Sequence, residues 1–322
     1  MKISALTAGA IAAVIGANGP LLAQGFPSKA VRIVVPYPAG GAYDIAARIV
    51  GQRMAPGLGQ SVLIENRPGG GTVVATDYVA RQPADGYTVL MVGPSFAILP
   101  AVRSKLPFDS VKDFKAAAQV ISLPMAISVH PSLPAKTLKE FIALARARPG
   151  EIAYGTAGPG TVHNMMGEMF KLAAKIDIIH APFQGGAPAA TAAVGGHITM
   201  LLVNVAEMAP FVRAGRLRGL VVTSPERAEA MPDTPTMREA GFPELEASNW
   251  SGFVIPSATP QAVVARLNAE TVRALGTAEV RESLKVQGMS PAPGTPDQFS
   301  ELIRSDAARY AKVVREAKIT VD

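Results

Sequence analysis

The chain has 322 residues, no cysteine, 48% hydrophobic and only 6% aromatic residues, and a formal net charge of +6. Disulfides, a thiol nucleophile and a lipidated cysteine are therefore excluded, and the basic residues are interspersed with acidic ones instead of forming the aromatic-studded basic runs of a nucleic-acid protein. The length suits two domains, so two lobes with two cores are expected.

Met1 and Lys2 open a weakly positive start, Ile3 to Ile15 is apolar and rich in small residues, and Ala23-Gln24-Gly25 offers small residues where a signal peptidase cuts. The apolar run is shorter than the roughly 20 residues of a membrane span and stops at Gly19-Pro20. A cleavable signal peptide over residues 1–25, cut after Ala23 or Gly25, and export of a soluble mature protein are the expectation.

Val31 to Val35 is a β-branched run ending at Pro36, and after Gly40-Gly41 the spacing turns helical, with Ile45, Ile49 and Val50 on one face up to Met54. The order strand, glycine loop, helix recurs through Ser61 to Glu65, Arg67 to Gly71 and Thr72 to Arg81, and Tyr87 to Val92 is another strand. Such alternation builds an α/β sheet. A second run begins after Pro124: strand at Ala126 to Val129, helix at Leu138 to Arg148, strand at Ile152 to Tyr154, loop at Gly155 to Gly160, helix at Thr161 to Ala173. Ile178 to His180, a helix near Pro188 to Val194, and strands at Ile198 to Val203 and Leu217 to Val222 follow. Pro232 to Pro243 and Asn249 to Pro260 read as connections, before amphipathic helices at Ala262 to Ala274 and Pro296 to Val314. A chain that visits a second lobe and returns crosses near residues 125 and 249. The lobes are then 26–124 with 249–322, and 125–248.

Two loops carry the chemistry. Pro36-Tyr-Pro-Ala-Gly-Gly-Ala-Tyr-Asp44 leads into a helix N-terminus, whose unpaired N–H groups and partial positive charge attract anions; glycines let a ligand reach that backbone. The same pattern also serves plain topology, and Asp44 falls where a first-turn structural carboxylate belongs. Gly155-Thr-Ala-Gly-Pro-Gly-Thr-Val-His163 has the same form with two hydroxyls and an imidazole. Its glycines do not fit a dinucleotide fingerprint, and it lacks the lysine of a phosphate loop. Thr156 and Thr161 can hydrogen-bond a carboxylate or its waters, and His163 is either a capping histidine or a ligand contact. Gly93-Pro-Ser95-Phe-Ala97 nearly matches a nucleophile elbow, which raises the alternative of a serine esterase, but its fifth position is Ala97. The four histidines are scattered without metal-ligand spacing, so neither a metal nor another cofactor is implied.

At these loops the sequence resembles the Bug family, the TctC-like extracytoplasmic solute receptors of tripartite tricarboxylate transporters. The likeness runs through residues 36–44, Glu65-Asn-Arg-Pro-Gly-Gly-Gly71, Ala84-Asp-Gly-Tyr-Thr88, Tyr154-Gly-Thr-Ala-Gly158, Phe183-Gln-Gly-Gly-Ala-Pro188, Ala214-Gly-Arg-Leu-Arg218, Asp233 to Gly241 and Trp250. It implies a periplasmic-binding-protein fold, two α/β lobes joined by two crossings with a ligand cleft between them, that captures a small carboxylate and delivers it to integral membrane transporter subunits; a membrane sensor is the alternative partner. A monomer is the default for this architecture, and no reaction is implied. The ligand loops are those of Tyr37, Ala39, Gly40, Gly41 and Tyr43, and of Thr156, Ala157, Gly158, Thr161 and His163, with Val203 and Asn204 completing the ligand-binding set. Glu65-Asn66-Arg67 braces a turn, and Trp250 either walls the cleft or packs at the crossing. Many members carry an acidic residue before the Asn that matches Asn204; here it is Val203. That departure disfavours an amino-acid ligand and suggests an apolar far end to the pocket.

Overall fold

The computed structural model describes residues 25–103 and 105–319; the expected signal peptide lies, but for Gly25, outside them. The β-branched run forms β1 (Val31–Val35), Gly41 caps α1 (Ala42–Leu58), and Gly59 ends that helix in the left-handed region at φ 68. β2 (Val62–Asn66), α2 (Val73–Ala80), β3 (Thr88–Val92) and α3 (Pro94–Val102) follow, then β4 (Phe114–Val129). The next segment holds α4 (Leu138–Ala147), β5 (Ala153–Thr156), α5 (Val162–Ala174), β6 (Ile179–Pro182), α6 (Gly186–Val194), β7 (Met200–Asn204), α7 (Val205–Arg213) and β8 (Arg218–Val222). β9 (Ser248–Pro256), α8 (Gln261–Leu275), α9 (Ala278–Val286), β10 (Ser290–Pro291) and α10 (Pro296–Ala317) close the described chain. Among the described residues, no helix is long and apolar enough to cross a membrane.

The strands run in the order β2-β1-β3-β9-β4-β7-β5-β6, with β8 and β10 also paired to β4. β1 lies parallel to β2 and β3, and β5 parallel to β6 and β7, each built by strand–helix–strand units. β4 joins the halves. It pairs with β9 from Phe114 to Pro124 and with β7 and β8 from Met125 onward. Register shifts between Ala116 and Ala118 and between Gln119 and Ile121 bend this 16-residue strand so that it can serve two sheets.

Several elements depart from the sequence reading. Residues 249–256, expected as connection, form β9, buried between β3 and β4. Serine, glycine and proline weakened the local β signal, but pairing on both edges satisfies the backbone regardless. β4 begins twelve residues before Ala126, and α3, α7 and α9 were not anticipated.

Among the described residues the apolar side chains gather into three clusters. One lies beneath α1, α8 and α9, one beneath α6 and α7, and the largest is continuous from Phe96 through Phe141 and Phe170 to Phe299 and Tyr310. α10 makes it continuous, because this helix packs on α3 and β4 and reaches α5. Trp250 belongs to this seam: its ring meets Phe299 edge-on and its indole donates to Asp306 of α10 at 2.7 Å. The indole thus anchors the returning strand.

Candidate ligand-binding site

The loop between β1 and α1 rests on Asp44. Its carboxylate accepts from the Gly40 N–H at 2.8 Å, Arg48 at 3.0 Å and Asn66 at 2.9 Å. Burial alone would raise this carboxyl, but those donors outweigh it and hold the group below its ordinary value. Ala39, Gly40 and Gly41 stand exposed, and no side chain caps the helix that follows. Tyr37 and Tyr43 stack with ring centroids 4.4 Å apart and their hydroxyl ends inside. Burial pushes the Tyr37 hydroxyl up to about 12, with Ser95 and Tyr43 partly offsetting it, and raises Tyr43 well above its ordinary value. Both rings are neutral hydrogen-bonding groups at neutral pH. Gly93 is where Tyr43 fits: a Cβ there would collide with the phenol.

The loop between β5 and α5 is braced from within. Thr161 caps α5 through the Asn164 N–H and donates to the Gly158 carbonyl at 2.7 Å. The buried Thr156 hydroxyl lies 2.7 Å from His180 Nε2 and accepts from the Gly158 N–H. Asn164 in turn accepts from the Gly160 N–H. Ala157 is half-buried and Gly158 buried.

The two loops meet through a third. His163 Nε2 lies 3.1 Å from Asn204 Oδ1, and the same oxygen accepts from Asn249 Nδ2 at 3.1 Å. Asn249 Oδ1 accepts from the Tyr43 hydroxyl at 2.6 Å, closing a path from the first loop to the second. Asn204 also opens α7, with Glu207 accepting from its backbone and side-chain nitrogens at 3.1 and 3.2 Å. Burial raises the Glu207 carboxyl, which those two donors partly offset, and lowers His163 to about 4, with the Asn204 hydrogen bond acting the other way. His163 is therefore neutral.

Val203 does not share this position. It is fully buried in the cluster with Ala126, Leu201 and Val222, because side chains alternate along β7 and only Asn204 turns toward the loops. The apolar pocket end inferred from Val203 therefore loses its basis, and a carboxylate stands nearby in Glu207. Ser95 lies beside Tyr37, while His163 and His180 are bonded to Asn204 and Thr156. Sequence reading missed Asn249 and Glu207. Glu207 had a signal, the Asn-x-x-Glu capping box of residues 204–207. Asn249 had none beyond its place before Trp250.

A cavity of about 640 Å³ lies at the junction of the halves, bounded by Ser122, Ser248, Arg213, Arg227 and Lys285. Its charged rim pairs locally, Lys285 with Glu229 and Arg227 with Glu239. Buried polar groups converge at the loops instead, which makes those the stronger candidate.

The sequence profile of the tripartite tricarboxylate transporter family receptor, TctC, matches residues 46–319. BugT of Bordetella pertussis (strain Tohama I) is 33% identical over 310 residues, covering 96% of this chain and 95% of that protein. A solved structure described as a periplasmic transporter superposes with a TM-score of 0.80 at 38% identity, over 92% of this chain and 100% of that one. Rpa4515 of R. palustris with adipate gives 0.80 at 31%, over 92% and 99%. MatC of Rhodopseudomonas palustris with bound malate gives 0.75 at 31%, over 90% and 100%. These neighbours share the periplasmic-binding-protein fold of two α/β lobes.

Proposed function

The chain belongs to the tripartite tricarboxylate transporter receptor family, a family of solute-binding proteins and not of enzymes, and from that premise we propose that it captures a small carboxylate in the periplasm and delivers it to membrane transporter subunits. Residues 1–25 direct export, 26–124 with 249–322 form one lobe, and 125–248 form the other. The ligand sits between Tyr37, Ala39, Gly40, Gly41 and Tyr43 on one side, where its carboxylate meets the start of α1, and Ala157, Gly158, Thr161 and His163 on the other, with Thr156 and Asn204 behind them.

The observation that carries this reading is the uncapped start of α1 behind three exposed small residues, facing a second glycine loop through Asn249. A helix N-terminus without a side-chain cap favours an anion there. Relatives bound to adipate and malate support a carboxylate as that anion. An open cleft admits the ligand, each lobe binds one side of it, and its greater affinity for the closed arrangement draws the lobes together. The closed shape is what a transporter reads.

The test is thermal unfolding of the mature, refolded protein with mono-, di- and tricarboxylates, and with sugars and amino acids as controls. Ligand at a hundred times its dissociation constant stabilises by roughly 2.7 kcal/mol, a clear rise in melting temperature. A shift confined to carboxylates is expected; a shift with a sugar and none with any acid would overturn the reading.

A further inference from the structure

The polar chain at the loops has a direction, and one group sets it. Glu207 is an acceptor, so the Asn204 amide must turn its nitrogen toward it, as the 3.2 Å contact records. Asn204 Oδ1 then faces the opposite way, where it can only accept. Two neighbours must donate to it: His163 through Nε2 and Asn249 through Nδ2. With its nitrogen turned there, Asn249 presents Oδ1 to Tyr43, whose hydroxyl donates. Every member is oriented by the next, and Asn249 is the link on the returning strand, buried to 4% exposure.

One atom is left over. His163 Nδ1 is buried and has no partner among the described residues. We infer that Asn204, turned by Glu207 and held there by Asn249, is a positioning residue that locks His163 as the Nε2–H tautomer, so that the imidazole offers its site a bare lone pair and not a proton. A carboxylate, itself acceptor-only, gains nothing from that lone pair. A hydroxyl does. The group that meets His163 is therefore a donor, carried by the ligand beside its carboxylate, and the far end of the pocket is polar where the sequence suggested an apolar one. This consequence rests on the carboxylate-binding reading; the tautomer does not.

Two replacements separate positioning from mere structure. In Asn249→Asp, an oxygen replaces the nitrogen facing Asn204 Oδ1; when the Asn204 amide turns over to donate to it, Nδ2 also faces His163 Nε2, which must then accept, and the ring proton moves to Nδ1. In Asn249→Ala, His163 still donates to Asn204 and keeps its tautomer. Nitrogen NMR of the four histidines, with His163→Gln identifying the signals, reads this directly. Expected are a protonated Nε2 and bare Nδ1 in the natural protein and in Asn249→Ala, and a changed pattern in Asn249→Asp. An unchanged pattern in Asn249→Asp, or the same change in both variants, overturns the inference.

Malate and succinate, which differ by one hydroxyl, test the ligand side. The natural protein should bind malate about ten-fold more tightly, the worth of one net hydrogen bond, a preference that Asn249→Asp abolishes. Equal binding by the natural protein removes the donor consequence. Binding of neither acid counts against the proposed function, and the nitrogen pattern then decides this inference alone.

Discussion

The loops after β1 and β5 share one plan, a strand delivering glycines onto a helix start, yet they solve it in opposite ways. In the first, Asp44 ties the loop from below, leaving residues 39–41 exposed and α1 without a side-chain cap. In the second, the hydroxyls of Thr156 and Thr161 satisfy the loop's own backbone, and α5 is capped. The first loop leaves its helix start unclaimed by any side chain; the second is braced from within. Loops that look equivalent in the chain thus differ in which polar groups remain unclaimed, and unclaimed groups are what a ligand can use.

Removing the first loop's tie should give the largest effect. Asp44→Ala strands three donors, and a loss of about 3 to 4 kcal/mol is expected in chemical denaturation, with weaker ligand binding. A loss below about 1 kcal/mol would erase the contrast, because the loop would then need no tie.

Acid should loosen the second loop first. His163 titrates near 4 in the folded chain against an ordinary 6.5, so between those values the unfolded chain binds a proton that the folded one refuses. Stability therefore falls as pH drops through that window, by up to about 3 kcal/mol, and His163→Gln should lack that slope. Asp44, held below its ordinary 3.8, keeps its contribution until the pH is lower still. Melting curves from pH 7 to 4 for both proteins provide the check; parallel curves would mean that the imidazole is not excluded from charging.

The smallest effect belongs to the second loop's cap. Thr161→Ala removes one capping acceptor and one donor to Gly158, for about 1 kcal/mol by denaturant unfolding. Thr161→Ser should recover most of it. A loss as large as that of Asp44→Ala would show that the second loop depends on a single tie after all.

Much of this was legible in the chain. Period-two and helical spacing separate most strands from helices, and β-branched residues at 31–35 or the apolar stripe of α5 need only neighbours in sequence to declare themselves. The glycine loops and the family likeness belong to that same local record. What stayed hidden depends on contacts between distant residues. The strand at 248–256 lacks strong β signals, yet it forms because β3 and β4 offer it partners on both edges. Val203 and Asn204 are adjacent, but strand alternation sends one into the core and the other to the loops. Tyr43 and Asn249 are 206 positions apart, and only the strand order brings them within 2.6 Å. By itself the sequence determined which segments can fold and which glycine loops lead into helix starts, since those properties reside in neighbouring residues. The tertiary structure alone decided which polar groups meet and in which direction each hydrogen bond runs, because a donor becomes paired only when a distant acceptor is held opposite it.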